Sequence, residues 1–243
     1  MNRNSDNQND IFRNLGATVR MGYDTLRNQP FGEQALQTLR RSPIINDQLT
    51  NLKATMLRPT KILLLVIAGL WLIELIDLIQ PWLTFDWYGI HPRTLIGLPG
   101  ILLAPLLHAG FGHLLANTVP LFILGWLVLL RRRQDLLIVS LTAIIISGLG
   151  VWLFGGSNTV HIGASGVIFG LLGYLLARGY FERSIPAILL AVLAFLLYGG
   201  MVWGVLPGRD GVSWLAHLFG FIGGVGAAYL LTRRPSLPLV ARR

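Results

Sequence analysis

The chain has 243 residues, of which 53% are hydrophobic and 13% charged, against roughly 25% charged residues in soluble domains, which argues against an ordinary water-soluble globule. The complete lack of cysteine excludes disulfides, thiol catalysis and cysteine-ligated metals. A formal net charge of +9 invites a nucleic-acid reading, yet the Lys and Arg residues flank apolar runs and are not gathered on one polar domain, so membrane topology accounts for them better and no nucleic-acid partner is expected.

Residues 1–60 are polar and basic, with no short apolar stretch and small-residue cleavage site near Met1, so no signal peptide is expected and the tail is expected to stay in the cytosol. Ile11, Phe12, Leu15, Val19, Tyr23 and Leu26 recur at near-helical spacing and would suit an amphipathic helix on the membrane surface. The plain alternative is a loosely ordered solvated tail.

From Lys61 onward six apolar segments follow, at about 62–80, 113–130, 136–154, 165–180, 185–205 and 213–232. Lipid offers no hydrogen-bond partners, so helices are the expected form. Between residues 134 and 232 the only charged residues are Asp135, Arg178, Glu182, Arg183, Arg209 and Asp210, which is the distribution of a multi-span chain. The stretch from Pro81 to Leu107 is too broken by Pro and Gly for a span, but it carries Trp82, Phe85, Trp87 and Tyr88. It reads as a first outer loop partly embedded in the membrane interface.

Basic residues give the orientation. One side holds nine of them through Lys61, then Arg131, Arg132 and Arg133, then Arg178 and Arg183, then Arg233, Arg234, Arg242 and Arg243; the other holds only Arg93 and Arg209. Both termini are therefore expected in the cytosol, with a basic tail over 233–243.

Three apolar segments carry side chains that lipid should exclude: His108-Ala-Gly-Phe-Gly-His113-Leu-Leu-Ala-Asn117, Gly163-Ala-Ser165-Gly166, and Ala216-His217 followed by Gly220 and Gly224. Intramembrane polar groups default to functional hypotheses. At about 1.5 Å rise per residue from the nearest basic flank, Ser165, His217 and Asn117 lie at about 20, 24 and 21 Å. That is one shared height, several ångströms to roughly 10 Å below the outer surface of a core about 30 Å thick.

Ser165 and His217 make a candidate nucleophile and base, because a serine hydroxyl needs a neighbouring imidazole to take its proton as it attacks a carbonyl. Gly163 and Gly166 permit a tight turn before a helix, and a helix starting at Ser165 would aim its first N–H groups outward at a developing oxyanion. His113 and Asn117, four apart on one helical face, can donate two more hydrogen bonds to that oxygen. His108 need not share the face and is given a loop-fixing role. Each signal alone has a plain reading: Ser bonding back to its own helix, His217 or Asn117 as an interhelical hydrogen bond. Agreement in depth favours the site. Gly166/Gly170 and Gly220/Gly224 read as close-packing faces that would bring Ser165 to His217. Glu74 and Asp77 are open to a third-acid role, but near the outer end of their helix they read as loop anchors.

The ordered combination of HAGFGHLLAN at 108–117, GASGVIFG at 163–170 and AHLFGFIGG at 216–224 resembles the rhomboid family of intramembrane serine proteases, over about residues 60 to 232. The resemblance implies an all-α membrane protein, a six-transmembrane-helix rhomboid-like bundle over 61–232. It also implies Ser165 as nucleophile, His217 as general base, and His113 and Asn117, with the Ser165 backbone, as the oxyanion hole. His108, Gly163, Gly166, Phe169, Gly220 and Gly224 would support the site. The implied substrates are transmembrane helices of other proteins within the bilayer, cut near their outer end, and no cofactor or metal is implied. Two departures stand out. His91-Pro92-Arg93 replaces the family's frequent Trp-Arg pair in the first outer loop, and Phe169 stands where some members carry Tyr. The competing classes are a catalytically dead relative, a transporter using the polar cluster, and a metalloprotease. The first would usually have lost Ser or His, and the last lacks H-E-x-x-H spacing. The sequence carries no signal for oligomeric state.

Overall fold

A computed structural model describes residues 43–80, 85–130, 133–208 and 211–233. The proposed surface helix in the tail, Trp82, Arg131, Arg132, Arg209 and the basic C-terminal tail beyond Arg233 lie outside the described residues. The chain divides into two units, residues 1–56 and 57–243, and everything below concerns the second apart from the beginning of its first helix. Among the described residues there are seven α-helices and no strand: α1 Pro43–Ile79, α2 Gly100–Leu103, α3 Phe111–Leu129, α4 Arg133–Phe154, α5 Ser165–Glu182, α6 Ile185–Tyr198 and α7 Trp214–Thr232.

Among the described residues five stretches are long and apolar enough to cross a membrane: Thr60–Ile79, Phe111–Leu129, Gln134–Phe154, Ile185–Val205 and Trp214–Thr232. They coincide with five of the six apolar segments. The remaining segment forms α5, which carries Arg178, Glu182 and the glycines 166, 170, 173 and 179, and so falls short of a lipid-facing span by composition. The reason is position. Gly166 through Leu175 are buried without interruption, so α5 is surrounded by protein and has no need of a lipid-facing apolar surface. The peripheral α6 shows the reverse, burying only Ala187 and Ala194 while Ile185, Leu189, Phe195 and Leu196 stay exposed.

The core follows from this arrangement. In α3 the buried Leu114, Asn117, Leu121, Leu124 and Val128 recur every three or four residues and face inward. On α1 the buried Leu63, Leu70 and Glu74, seven and four residues apart, likewise share one face. There Trp71 stacks on Phe111 at 5.7 Å and donates its indole N–H to Thr118 Oγ1 at 3.1 Å. The most extensive packing joins α5 to α7, and glycine makes it possible. A methyl group on Gly224 would overlap the Gly170 carbonyl oxygen, and one on Gly220 would overlap that of Gly166. The two backbones thus meet where any side chain would separate them.

At the end of the bundle opposite Ser165, the buried charges are paired. Asp135 Oδ2 accepts from Tyr174 OH at 2.7 Å and from Arg178 Nη1 at 2.5 Å, while Arg178 Nε donates to Glu182 at 2.6 Å. Buried charge is tolerated only when partnered in this way.

The segment from Phe85 to Leu107 is a run of short 3-10 turns around α2, with Trp87, Tyr88, Leu95, Ile96 and Leu102 exposed. Ile90 pairs antiparallel with His161. Asp77 Oδ1 accepts from the Phe85 N–H at 2.9 Å, which is a loop anchor. Arg93, in left-handed conformation (φ 57°), donates to the Leu153 and Gly155 carbonyls at 3.1 and 2.6 Å and to Ser157 Oγ at 2.8 Å. In return, Trp152 Nε1 donates to the Thr94 carbonyl at 2.8 Å. The His91-Pro92-Arg93 sequence therefore ties the loop to the end of α4, satisfying carbonyls that the helix leaves open.

The glycine crossing generates a contrast. Gly224→Ala forces a methyl group against a backbone carbonyl that cannot rotate away, and should cost about 1–3 kcal/mol. Gly226→Ala, which meets open space, should instead gain up to about 1 kcal/mol of helix propensity. Thermal unfolding of the two purified variants checks the opposite signs.

Candidate active site

Ser165 is the first residue of α5, and the chain reaches it through Gly163 in a positive-φ conformation (φ 114°). A side chain there would be strained, and its Cβ would also meet His113 Cε1 at 2.7 Å. The Gly163 N–H donates to the Ala104 carbonyl at 2.8 Å. Starting a helix at Ser165 leaves the first N–H groups of α5 without intrahelical acceptors.

His217 lies in the first turn of α7, its N–H bonded to the Ser213 carbonyl at 3.2 Å. Its Nε2 is 2.9 Å from Ser165 Oγ, and its Nδ1 is 2.9 Å from the Gly204 carbonyl oxygen. A carbonyl can only accept, so Nδ1 carries the ring proton and Nε2 presents its lone pair to the serine hydroxyl. The other face of the ring is fixed by Phe169, one turn after Ser165, stacked at 4.1 Å with an interplanar angle of 6°. No carboxylate is needed to hold this tautomer, because a main-chain oxygen holds it.

His113 and Asn117 share the face of α3 that approaches Gly163. Asn117 is buried and its Nδ2 has no hydrogen-bond partner. An unpartnered buried donor is costly unless a ligand or reacting group supplies the acceptor. His113 Nδ1 lies 3.5 Å from the Ala109 N–H, which leaves Nε2 as the N–H that approaches Gly163. His108 takes a different place: its Nε2 accepts the Ala164 N–H at 3.5 Å, holding the turn before Ser165. Burial, with His113 beside it, pushes the His108 imidazole down to about 4, so it remains a neutral acceptor at neutral pH.

The structure thus brings Ser165, His217 and Phe169 into contact, turns His113 and Asn117 toward the same corner, and puts Gly163, Gly166, Gly220 and Gly224 at backbone crossings and turns. Four participants carry no signal in the sequence. The Gly204 carbonyl belongs to a 3-10 segment, Gly199–Val205. Ser147 Oγ on α4 donates to the Ala216 carbonyl at 3.0 Å, directly before His217. His161 and Ser213, each four residues before Ser165 and His217 respectively, bond to each other at 2.8 Å. Pairings of this kind depend on tertiary approach and have no spacing to read. Beside His217 opens a pocket of about 500 Å³ walled by Phe169, Met201, Trp203, Leu206 and Trp214.

The Rhomboid domain model matches residues 97–234. A Mycobacterium tuberculosis protein described only as uncharacterized is 44% identical over 178 residues, covering 70% of this chain and 74% of the relative. YdcA of Bacillus subtilis, provisionally named a rhomboid protease, is 31% identical over 135 residues, 53% of this chain and 65% of its own. RHOMBOID-like protein 5 of Arabidopsis thaliana is 33% identical over 140 residues, 53% and 42% of the two chains.

A depressed His108 has a consequence for stability. Its unfolded value is near 6.5, so the stability it confers is present above pH 6.5 and is lost as pH falls toward about 4. His108→Gln should flatten the decline of Tm between pH 6.5 and 4.5 relative to wild type, measured in detergent or bilayer.

Proposed function

The chain belongs to the rhomboid family, and on that premise we propose that it is an intramembrane serine endopeptidase that cleaves transmembrane helices of other membrane proteins with a Ser165/His217 dyad. The observation that carries the reading is the 2.9 Å contact between Ser165 Oγ and the lone-pair nitrogen of an imidazole whose other nitrogen is committed to the Gly204 carbonyl. In this mechanism Ser165 Oγ attacks the scissile carbonyl as its proton moves to His217 Nε2. Negative charge then develops on the carbonyl oxygen, where the Asn117 Nδ2, the His113 Nε2–H and the Ser165 N–H are available as donors. Collapse expels the amine, which takes the proton from the imidazolium and leaves an acyl-serine. A water molecule, deprotonated by His217, attacks that ester; the carboxylate product leaves and Ser165 regains its proton.

The same reading assigns residues 61–232 to a six-span protease domain, residues 1–60 and 233–243 to cytosolic tails, and the site to the outer half of the membrane. The basic-residue distribution supports this orientation.

Ser165→Ala and His217→Ala should each abolish cleavage of a transmembrane substrate, and the double variant should be no worse than either, because nucleophile and base act as a unit. A fluorophosphonate probe should label wild type at Ser165 alone; robust cleavage by Ser165→Ala would overturn the assignment. Asn117→Ala should lower kcat by about 10²-fold or more with KM little changed, the size reported for one oxyanion donor. Glu74→Gln and Asp77→Asn should retain the chemical step, and kcat/KM should rise from mildly acidic toward alkaline pH along a single deprotonation. A loss near 10⁴ from either carboxamide would reveal a working acid instead.

A further inference from the structure

We propose that His161 and Ser213 form a positioning clamp, a single side-chain hydrogen bond that sets the separation of the nucleophile-bearing and base-bearing helices. This rests on the serine/histidine reading above. His161 Nδ1 is 2.8 Å from Ser213 Oγ. Each partner stands four residues before a member of the dyad: His161 before Ser165 at the start of α5, Ser213 before His217 at the start of α7. Ser213 is the residue that precedes α7, and its carbonyl accepts the His217 N–H. The clamp therefore closes a small ring that runs through Ser213, His217, Ser165 and His161, with hydrogen bonds at both crossings.

Proton bookkeeping gives the clamp a direction. Thr159 Oγ1 donates its proton to the Gly156 carbonyl at 2.6 Å, so at its 2.8 Å contact with His161 Nε2 it accepts. Nε2 then carries the ring proton and Nδ1 accepts from the Ser213 hydroxyl. The backbone beneath is fixed as well. His161 and Ile90 exchange two main-chain hydrogen bonds at 3.0 and 3.1 Å, and Ile90 is buried. The imidazole is thus held on both nitrogens and through its own backbone, and Ser213 is the one member of this set that belongs to the base-bearing side. A hydroxyl contact between Ser165 and His217 is sensitive to small shifts, because hydrogen-bond strength falls steeply with distance and angle.

The test measures two properties of the full-length protein with a fluorophosphonate probe: the labelling stoichiometry at saturation, which counts folded sites, and the labelling rate, which reads the nucleophile and base without substrate docking. Ser213→Ala and His161→Phe should each lower the rate about tenfold, the effect of losing one hydrogen bond. Their double variant should lose about tenfold and not a hundredfold, since both sever the same contact. Ser213→Thr, which keeps the hydroxyl, should stay within about twofold of wild type and guards against a variant that fails to fold. For a transmembrane substrate the loss should fall on kcat with KM unchanged. Reduced stoichiometry with an unchanged rate, or losses that multiply in the double variant, would overturn the clamp while leaving the dyad intact. Failure of wild type to label at Ser165 would overturn the dyad, and the clamp with it.

Discussion

Everything in this molecule depends on how closely two backbones approach. The proposed nucleophile and base lie on α5 and α7, 52 residues apart in sequence, and their 2.9 Å contact is made where those two helices pack. Gly166, Gly170, Gly220 and Gly224 remove the atoms that would hold the axes apart. In lipid, where no hydrophobic force drives helices together, such small-residue contacts and interhelical hydrogen bonds carry the association. The candidate site is therefore a product of the packing interface, built at its Ser165 end by the same surface that holds the bundle together.

That interface also explains how polar chemistry survives in an apolar environment. Asp135 and Arg178 are paired at one end of the bundle, and Ser147 and Trp71 donate to named acceptors elsewhere. Two atoms among the described residues break the pattern, because Asn117 Nδ2 and His108 Nδ1 are buried with nothing to bond. Of the two, the Asn117 amide is the donor that the proposed mechanism directs at the reacting oxygen.

Much of this was legible in the sequence, and the rest was hidden for identifiable reasons. The spans were readable from apolar runs because lipid imposes length and composition on each helix it touches. The α5 segment fits that standard least, since its neighbours are protein, and so its composition reports packing. His217, His113 and Asn117 stood out because ionisable or amide groups in an apolar run are exceptional, and Ser165 stood out by sharing their depth. The partners of His217 did not. Gly204 acts through a carbonyl that every residue possesses, while His161 and Ser213 are ordinary loop residues until folding sets them 2.8 Å apart. Arg93 shows the same limit, because its motif differs from the family's frequent pair yet its guanidinium fastens the loop to the end of α4.

Holding the His217 ring with a main-chain oxygen alters what genetics can see. The Gly204 carbonyl has no codon of its own, and no exchange of side chains deletes it. A substitution at Gly204 acts by another route: the added carbon would stand 2.9 Å from Phe169 Cζ and 3.3 Å from His217 Nδ1, and would press on the stacked pair. A loss-of-function screen would accordingly score position 204 by the size of the residue inserted, while the hydrogen bond itself stayed invisible. On the Ser165/His217 reading, the orienting role that many serine hydrolases give to a mutable carboxylate is written into the course of the backbone, where it drifts only when the loop that carries it is rebuilt.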